Sequence, residues 1–276
     1  MTIRRAHIVL VSTDSYVVGA IALRLALLLM RCKPSIKALV TDDVSPTALD
    51  ALRFFRIDAI RGRDSYYSAD CADHYWRFTL CRLEIFSLDN FDKIVYIDSD
   101  MFVLSNLDEL FTRPHMSAVG LMRLPDGEEW NGLNSGLMVI SPNKELEKQL
   151  TDCILAVAGS ASRFGDQDII QFCIKDRPNA TELQLDEGYN VYIGAVDHYV
   201  RCFDYSFVGA GKAIHCVHFI GPRKPWQSGF AEQLKLVAKL ARKRELRRLA
   251  LTVTYLSATN LIRLVLSARA RRRATT

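Results

Sequence analysis

The chain has no C-x-x-C pair among its seven cysteines, no G-x-x-x-x-G-K-S/T phosphate loop, no internal repeat and no low-complexity tract. Each absence removes a class of function. Cys32, Cys71, Cys81, Cys153, Cys173, Cys202 and Cys216 are scattered and odd in number, which predicts buried thiols of a reducing, cytoplasmic compartment, not a disulfide frame or zinc site. The longest early apolar run, AIALRLALLLM, is interrupted by Arg24 and falls short of the roughly 20 residues that cross a bilayer, so it predicts a helix lying on a sheet. The opening MTIRRAHIVLV sets basic residues before an apolar patch, but an export signal needs about seven apolar residues or more and this patch is shorter. Gly209-Ala210-Gly211-Lys212 lacks the rest of a phosphate-loop pattern and is set aside. The net charge of +5 over 276 residues is small, and Arg269, Arg271, Arg272 and Arg273 supply much of it, so a nucleic-acid partner is not expected.

What is present is most concentrated in KIVYIDSDMFVLSNLDELF, residues 93 to 111. Ile94 to Ile97 read as a buried strand whose end carries Asp98 and Asp100, with only Ser99 between them. On a strand, residues two apart face the same side, so the carboxylates are expected to point together. Two adjacent carboxylates resist joint ionisation unless a cation sits between them. Oxygen donors of this kind suit a hard divalent ion such as Mg or Mn, often with a phosphate; a turn or helix cap is the plainer alternative.

Around this stretch the pattern alternates strand and helix. Strands are expected over His7–Val11, Ile36–Val40 and Ile57–Ile60, and helices over Tyr16–Arg31, from Pro46 to about Phe55 behind an N-cap at Ser45, and over Trp76–Ser87. Alternation predicts a mostly parallel α/β sheet, and such sheets bind ligands at the carboxyl ends of their strands. Both STDS after the first strand and DSD after the later one fall at such ends. Beyond Pro114 the pattern predicts a turn-to-strand at Asn131–Ile140, helices at Pro142–Ala158 and Phe164–Cys173, an irregular aromatic-rich segment to Gly211, a strand at Ala213–Phe219, and a basic helical tail from Ala231.

Companions for the carboxylates lie far along the chain. His218 ends the last strand and is followed by Gly221, Arg223, Lys224 and Trp226. A histidine completes a metal site, glycine lets backbone approach phosphate, and Lys224 would neutralise phosphate charge. His215, three residues before His218, is expected on the opposite strand face and outside the site. NSG at Asn134–Gly136 and GDQD at Gly165–Asp168 offer groups suited to sugar hydroxyls. Tyr189, Tyr192, Tyr199 and Tyr205 are read mainly as packing residues.

In this order the motifs VSTDSYVVGA, RLEIFSLDNFDKIVYIDSDMFVLSNLDELF, NSGLMVI, GDQDII and HFIGPRKPW resemble the glycogenin-like family of retaining glycosyltransferases, family eight, over residues 6–226. The resemblance implies a Rossmann-like, GT-A type nucleotide-diphospho-sugar transferase fold with a mixed, mostly parallel sheet. It also implies a UDP-sugar donor, Mn2+, and a carbohydrate or protein-glycan acceptor. By the same resemblance Asp98, Asp100 and His218 would be metal ligands, and Leu10, Ser12, Thr13 and Tyr16 would hold the uridine. Ser99 and Arg82 would join the donor site, Gly221 and Lys224 the diphosphate, and Asn134, Ser135, Asp166 and Gln167 the sugar, with Asp166 and Gln167 nearest the anomeric carbon.

Departures from the family shape the expectation. Arg82 stands where the family usually has Lys, Arg163 where glycogenins have an acid, and Asp197 falls near the self-glucosylated tyrosine with Tyr199 two residues on. The implied activity is therefore transfer of a hexose, glucose or galactose, to a separate acceptor. The alternatives are a self-glucosylating primer and a non-catalytic sugar-nucleotide-binding protein; a nucleotidyltransferase would want a Gly-rich basic loop after the first strand, where STDSYVVGA has none. Residues 1–230 are expected to be catalytic and 231–276 a helical basic tail. Leu249–Leu266 looks too polar to span a bilayer. It either packs on the catalytic part or a dimer partner, or lies on an anionic membrane surface.

Overall fold

A computed structural model describes residues 3–62, 80–157, 165–173, 180–221 and 223–274. Cys71, Arg163, Phe164 and the start of the helix expected at Trp76 lie outside them. The strands are β1 (Arg5–Val11), β2 (Ser35–Val40), β3 (Asp58–Arg61), β4 (Lys93–Ile97), β5 (Met101–Val103), β6 (Ser117–Val119), β7 (Leu121–Arg123), β8 (Glu129–Asn131), β9 (Leu137–Ile140), β10 (Gln184–Leu185), β11 (Val191–Tyr192), β12 (Tyr205–Ser206), β13 (Lys212–Ala213) and β14 (Cys216–His218). The α-helices are α1 (Val17–Leu29), α2 (Pro46–Phe54), α3 (Lys144–Val157), α4 (Asp166–Cys173), α5 (Val196–Cys202), α6 (Phe230–Arg242) and α7 (Leu246–Ala274).

Seven strands form the main sheet in the order β10-β6-β9-β4-β1-β2-β3, and β9 alone runs against its neighbours. The mixed, mostly parallel sheet is the one expected. Its two faces are separated by the period of two along each strand. On β1, Ala6 and Ile8 enter one core while Val9 and Val11 enter the other; on β4, Ile94 and Tyr96 alternate with Val95 and Ile97 in the same way. Burial on both faces explains why these strands read as continuous apolar runs.

Local chemistry sets several element ends. Ser45 Oγ accepts from Ala48 N at 3.2 Å and Pro46 opens α2, as predicted. The expected helix at Tyr16 begins with one 3-10 turn, Asp14–Tyr16, before α1. Cys81–Ser87 is 3-10 in place of the expected α-helix. The strand expected over Ala213–Phe219 is split into β13 and β14. The segment read as irregular contains α5. One cysteine expectation fails: α3 and α4 lie side by side and bring Cys153 and Cys173 into a disulfide, leaving Cys32, Cys81, Cys202 and Cys216 as free thiols among the described residues.

The tail is packed onto the core. α7 lies against α1, α5 and α6. Its Tyr255 is buried, stacks on Phe219 with ring centroids 4.4 Å apart, and sends its hydroxyl to the backbone oxygen of Ser99 at 3.4 Å. By length and composition Leu246–Arg272 is apolar enough to cross a membrane, contrary to expectation, but a third of it is buried inside the protein.

Candidate active site

The carboxyl ends of β1 and β4 are neighbours in the parallel part of the sheet, and a cleft of about 260 Å³ opens there. Leu10, Ser12 and Tyr16 line it from the β1 side, Asp98, Ser99 and Asp100 from the β4 side, and His218, Gly221 and Lys224 from beyond β14. Thr13 is not among the lining residues; its hydroxyl turns to Ser15 Oγ at 2.8 Å.

Asp98 and Asp100 sit in the turn between β4 and β5, closed by Met101 N donating to Asp98 O at 3.1 Å, not on the strand itself. What makes them converge is β14, which pairs antiparallel to β5 with His218 opposite Met101. That register brings His218 Nε2 to 3.1 Å from Asp100 Oδ1 and 3.8 Å from Asp98 Oδ2. Gly136 leaves room for the ring: a Cβ there would stand 2.8 Å from His218 Cε1. Gly221, at φ +134°, turns the following loop so that Lys224 Nζ reaches Asp100 Oδ2 at 2.6 Å. The site is drier than a solvent-facing cleft, since Asp100, Ser99, His218 and Lys224 are all buried.

The second carboxylate is served from another direction. Arg82 donates to Asp98 Oδ1 at 2.7 Å, to Asp166 Oδ2 at 2.8 Å, and to Ser135 Oγ and O at 2.7 and 3.1 Å. Its guanidinium lies 4.6 Å from the ring centroid of Tyr96, whose hydroxyl donates to Asp98 Oδ1 at 2.7 Å. Burial would lower the basicity of Arg82, but Asp166 and Asp98 override it and raise it. Burial raises the Asp98 carboxyl, an effect Arg82 offsets and Asp100 reinforces. Burial pushes Asp100 up as well, yet His218 and Lys224 overcome it and hold that carboxyl well below the usual range.

The imidazole is oriented by residues the sequence reading missed. Asn190 Nδ2 donates to Asn134 Oδ1 at 2.7 Å, which leaves Asn190 Oδ1 to accept from His218 Nδ1 at 2.9 Å. With Nδ1 donating to Asn190, Nε2 is the ring nitrogen left to face the two carboxylates, and it would be the ligand atom for a cation held between them. One ligand atom each of Asp98, Asp100 and His218 lie within 4.8 Å of one another, and carboxylate oxygen with imidazole fits Mn or Mg. Tyr192, read as packing, belongs to the site: its hydroxyl accepts from Asn134 Nδ2 at 2.9 Å and its ring meets His218 edge-on. Asn190 carried no sequence signal beyond an ordinary turn, and nothing in the sequence set Tyr192, in β11, apart from the other three tyrosines.

A second hollow adjoins the first, sharing Arg82, Asp98 and His218 and adding Asn134, Ser135, Asp166, Gln167 and Asp168. Gln167 Oε1 accepts from Ser135 N at 3.2 Å and Asp168 caps Gly165 N at 2.9 Å, so α4 and the turn before β9 are tied together. Apart from Thr13, every residue expected in the site from the sequence lines one hollow or the other. His215 lies outside, stacked on Tyr189.

An α/β sheet with an acid-lined cleft where β1 and β4 meet is the GT-A type fold, which solved glycosyltransferase structures share. The glycosyltransferase GlyE of Streptococcus pneumoniae superposes with a TM-score of 0.57 at 18% identity, covering 98% of this chain and 64% of that one. The galactosyltransferase LgtC gives 0.55 at 15% identity over 80% of this chain and 89% of that one. The chain belongs to glycosyl transferase family 8, whose model matches residues 7–229. Glycogenin-1 of Caenorhabditis elegans is 33% identical over 82% of this chain and human glycogenin-1 is 29% identical over 84%. The chain spans 52% and 65% of their lengths. UDP-glucuronate:xylan alpha-glucuronosyltransferase 2 of Arabidopsis thaliana is 37% identical over 51% of this chain and 22% of its own length.

Proposed function

We propose that this glycosyltransferase moves a neutral hexose, glucose or galactose, from UDP to a hydroxyl of a separate glycan acceptor, with retention and with Mn2+. The observation that carries the reading is the convergence of His218 Nε2 on Asp100 Oδ1 at 3.1 Å and Asp98 Oδ2 at 3.8 Å, beside the cleft lined by Leu10, Ser12 and Tyr16. Asp98, Asp100 and His218 would hold the ion, which when bound supplies positive charge against the diphosphate. Lys224, on the glycine turn, would move part of its charge to the departing UDP. Arg82 holds Asp166 and Asp98 in place.

The sugar-side hollow favours an uncharged donor. Among the described residues lining it, Arg82 is the one arginine or lysine, and it is committed to Asp98 and Asp166 while Asp168 adds a further acid. A uronate carboxylate in this hollow would face Asp168 with no uncommitted arginine or lysine among the described lining residues to pair with it. Because Asp166 is neutralised by Arg82, it is a poor nucleophile. The step we favour is same-face substitution: the acceptor oxygen bonds to the anomeric carbon as the bond to UDP breaks, and the acceptor proton passes to the leaving UDP oxygen.

Self-glucosylation finds no support at the tyrosine nearest the family's position. Tyr199 is buried, its hydroxyl donating to Glu187 Oε2 at 2.6 Å and accepting from Arg123 N at 2.9 Å. The test is UDP release from UDP-glucose, UDP-galactose and UDP-glucuronate, with Mn2+ or with EDTA, and intact mass afterwards. We expect a neutral hexose to be cleaved at least tenfold faster than the uronate, loss of turnover in EDTA, and unchanged mass. A preference for UDP-glucuronate, or a ladder of hexose additions, sinks the reading.

A further inference from the structure

α7 carries seven arginines and no acidic residue, and its two faces differ sharply. Tyr255, Thr259 and Ile262 are buried on one face. On the other, Leu246, Ala250, Val253, Ser257, Leu261 and Leu264 follow at steps of three and four residues, the spacing of one helix stripe, and all are exposed. Leu261 and Leu264 are 63% and 65% exposed, values unusual for leucines in a stripe with no charge among them. Most of the basic residues gather at the two ends. Arg242, Lys243 and Arg244 stand just before α7 with Arg247 and Arg248 in its first turn, and Arg269, Arg271 and Arg272 lie in its last turns. The exposed Arg263 stands midway, about 100° round the helix from Leu264. Arg247 pairs with Asp197 and Arg269 with Asp50, which fasten the helix to the body of the protein; Arg248 pairs with Glu245, and Arg271 and Arg272 have interactions within the protein as well.

We infer that the outer stripe of α7 is a docking surface for an anionic lipid bilayer, with residues 231–276 as the element that lies on it. An apolar strip set between two clusters of positive charge matches the acyl–headgroup boundary of such a membrane, where apolar side chains enter and arginines meet lipid phosphates. A second copy of this chain fits less well. With arginines at both ends of α7, two-fold pairing along the stripe in either direction sets basic end against basic end. A spanning arrangement is ruled out by Tyr255, Thr259 and Ile262, which would have to leave the protein core. The surface places the catalytic region beside a membrane, where its acceptor would be presented.

The experiment uses the full chain and reads binding, not activity, so it stands or falls apart from the donor reading. Protein is sedimented with phosphatidylcholine vesicles and with vesicles containing about 30% phosphatidylserine, at low salt and in 0.5 M NaCl. The expected result is a partition coefficient at least tenfold higher on the anionic vesicles, most of it lost in high salt through screening. Leu261→Glu with Leu264→Glu should lower that partition at least tenfold while circular dichroism and melting temperature stay unchanged, since both side chains face solvent. Equal partition of the double variant and the wild type, or no binding of the wild type to anionic vesicles at low salt, overturns the inference. So does a reversible dimer by sedimentation equilibrium that the double variant abolishes, which would assign the stripe to a second copy.

Discussion

Asp98 and Asp100 are two residues apart in one turn, yet the protein treats them as members of different assemblies. Asp98 belongs to a fixed cluster: Arg82 is held by four oxygens from Asp98, Asp166 and Ser135, with Tyr96 beneath it. Asp100 belongs to a cluster delivered by the chain end of the catalytic region, His218 from β14 and Lys224 from the loop beyond. Burial opposes ionisation of both, but only at Asp100 do the neighbours win outright. The contrast teaches that identical side chains at motif spacing take their chemistry from where their partners come from. The forked guanidinium of Arg82 binds several oxygens in one fixed geometry, whereas the ammonium of Lys224 is a point charge on a flexible stem.

Three substitutions test this division. The largest effect is expected from Asp100→Asn, which takes a charge from the proposed ion and leaves Lys224 facing a neutral amide. Turnover should fall by roughly 10² to 10³ or more, the scale of losing a charge-stabilising group. Near-normal turnover of folded Asp100→Asn in Mn2+ would falsify the metal assignment. Next is Asn190→Ala, which removes the partner of His218 Nδ1 without replacing any proposed metal ligand. Removing such an orienting partner typically costs about 10- to 100-fold in metal affinity. Calorimetric titration with Mn2+ reads it, and an unchanged affinity would show that Asn190 only packs.

The smallest is Arg82→Lys. A lysine keeps the charge but cannot serve Asp98, Asp166 and Ser135 together, so kcat should drop about tenfold as Asp166 loses its fixed position. Mn2+ affinity, read by the same calorimetry, should change far less than in Asn190→Ala. If Arg82→Lys weakens the metal more than Asn190→Ala does, the two clusters are one and the division proposed between them is wrong.

Much of this was legible along the chain, and the reason is local. The apolar alternation of β1 and β4 sets which side chains enter which core, the Ser45-Pro46 cap starts α2, and DSD falls at a strand end because a core strand has no other place for two acids. Most of the expected residues come together around the two hollows, since their motifs are short and each lies within one turn or helix start. Thr13 turns its hydroxyl to Ser15 and does not line the cleft, and Asn190 was missed because an asparagine in a turn has no pattern of its own; Tyr192 was one of four tyrosines that nothing local distinguished.

The amino-acid order by itself determined β1, β2, β3, β4 and β9, the sheet class and the presence of paired carboxylates at a strand end. Only the tertiary structure decided that His218 would meet Asp100 across 118 residues, through the pairing of β14 with β5. It alone made Arg82 bridge Asp98 and Asp166, and turned one face of α7 inward against Phe219 while leaving the other apolar face outside. Propensity and periodicity act over a few residues and are written locally. Which distant strand pairs with which, and which helix face is covered, depend on burial of the whole core at once.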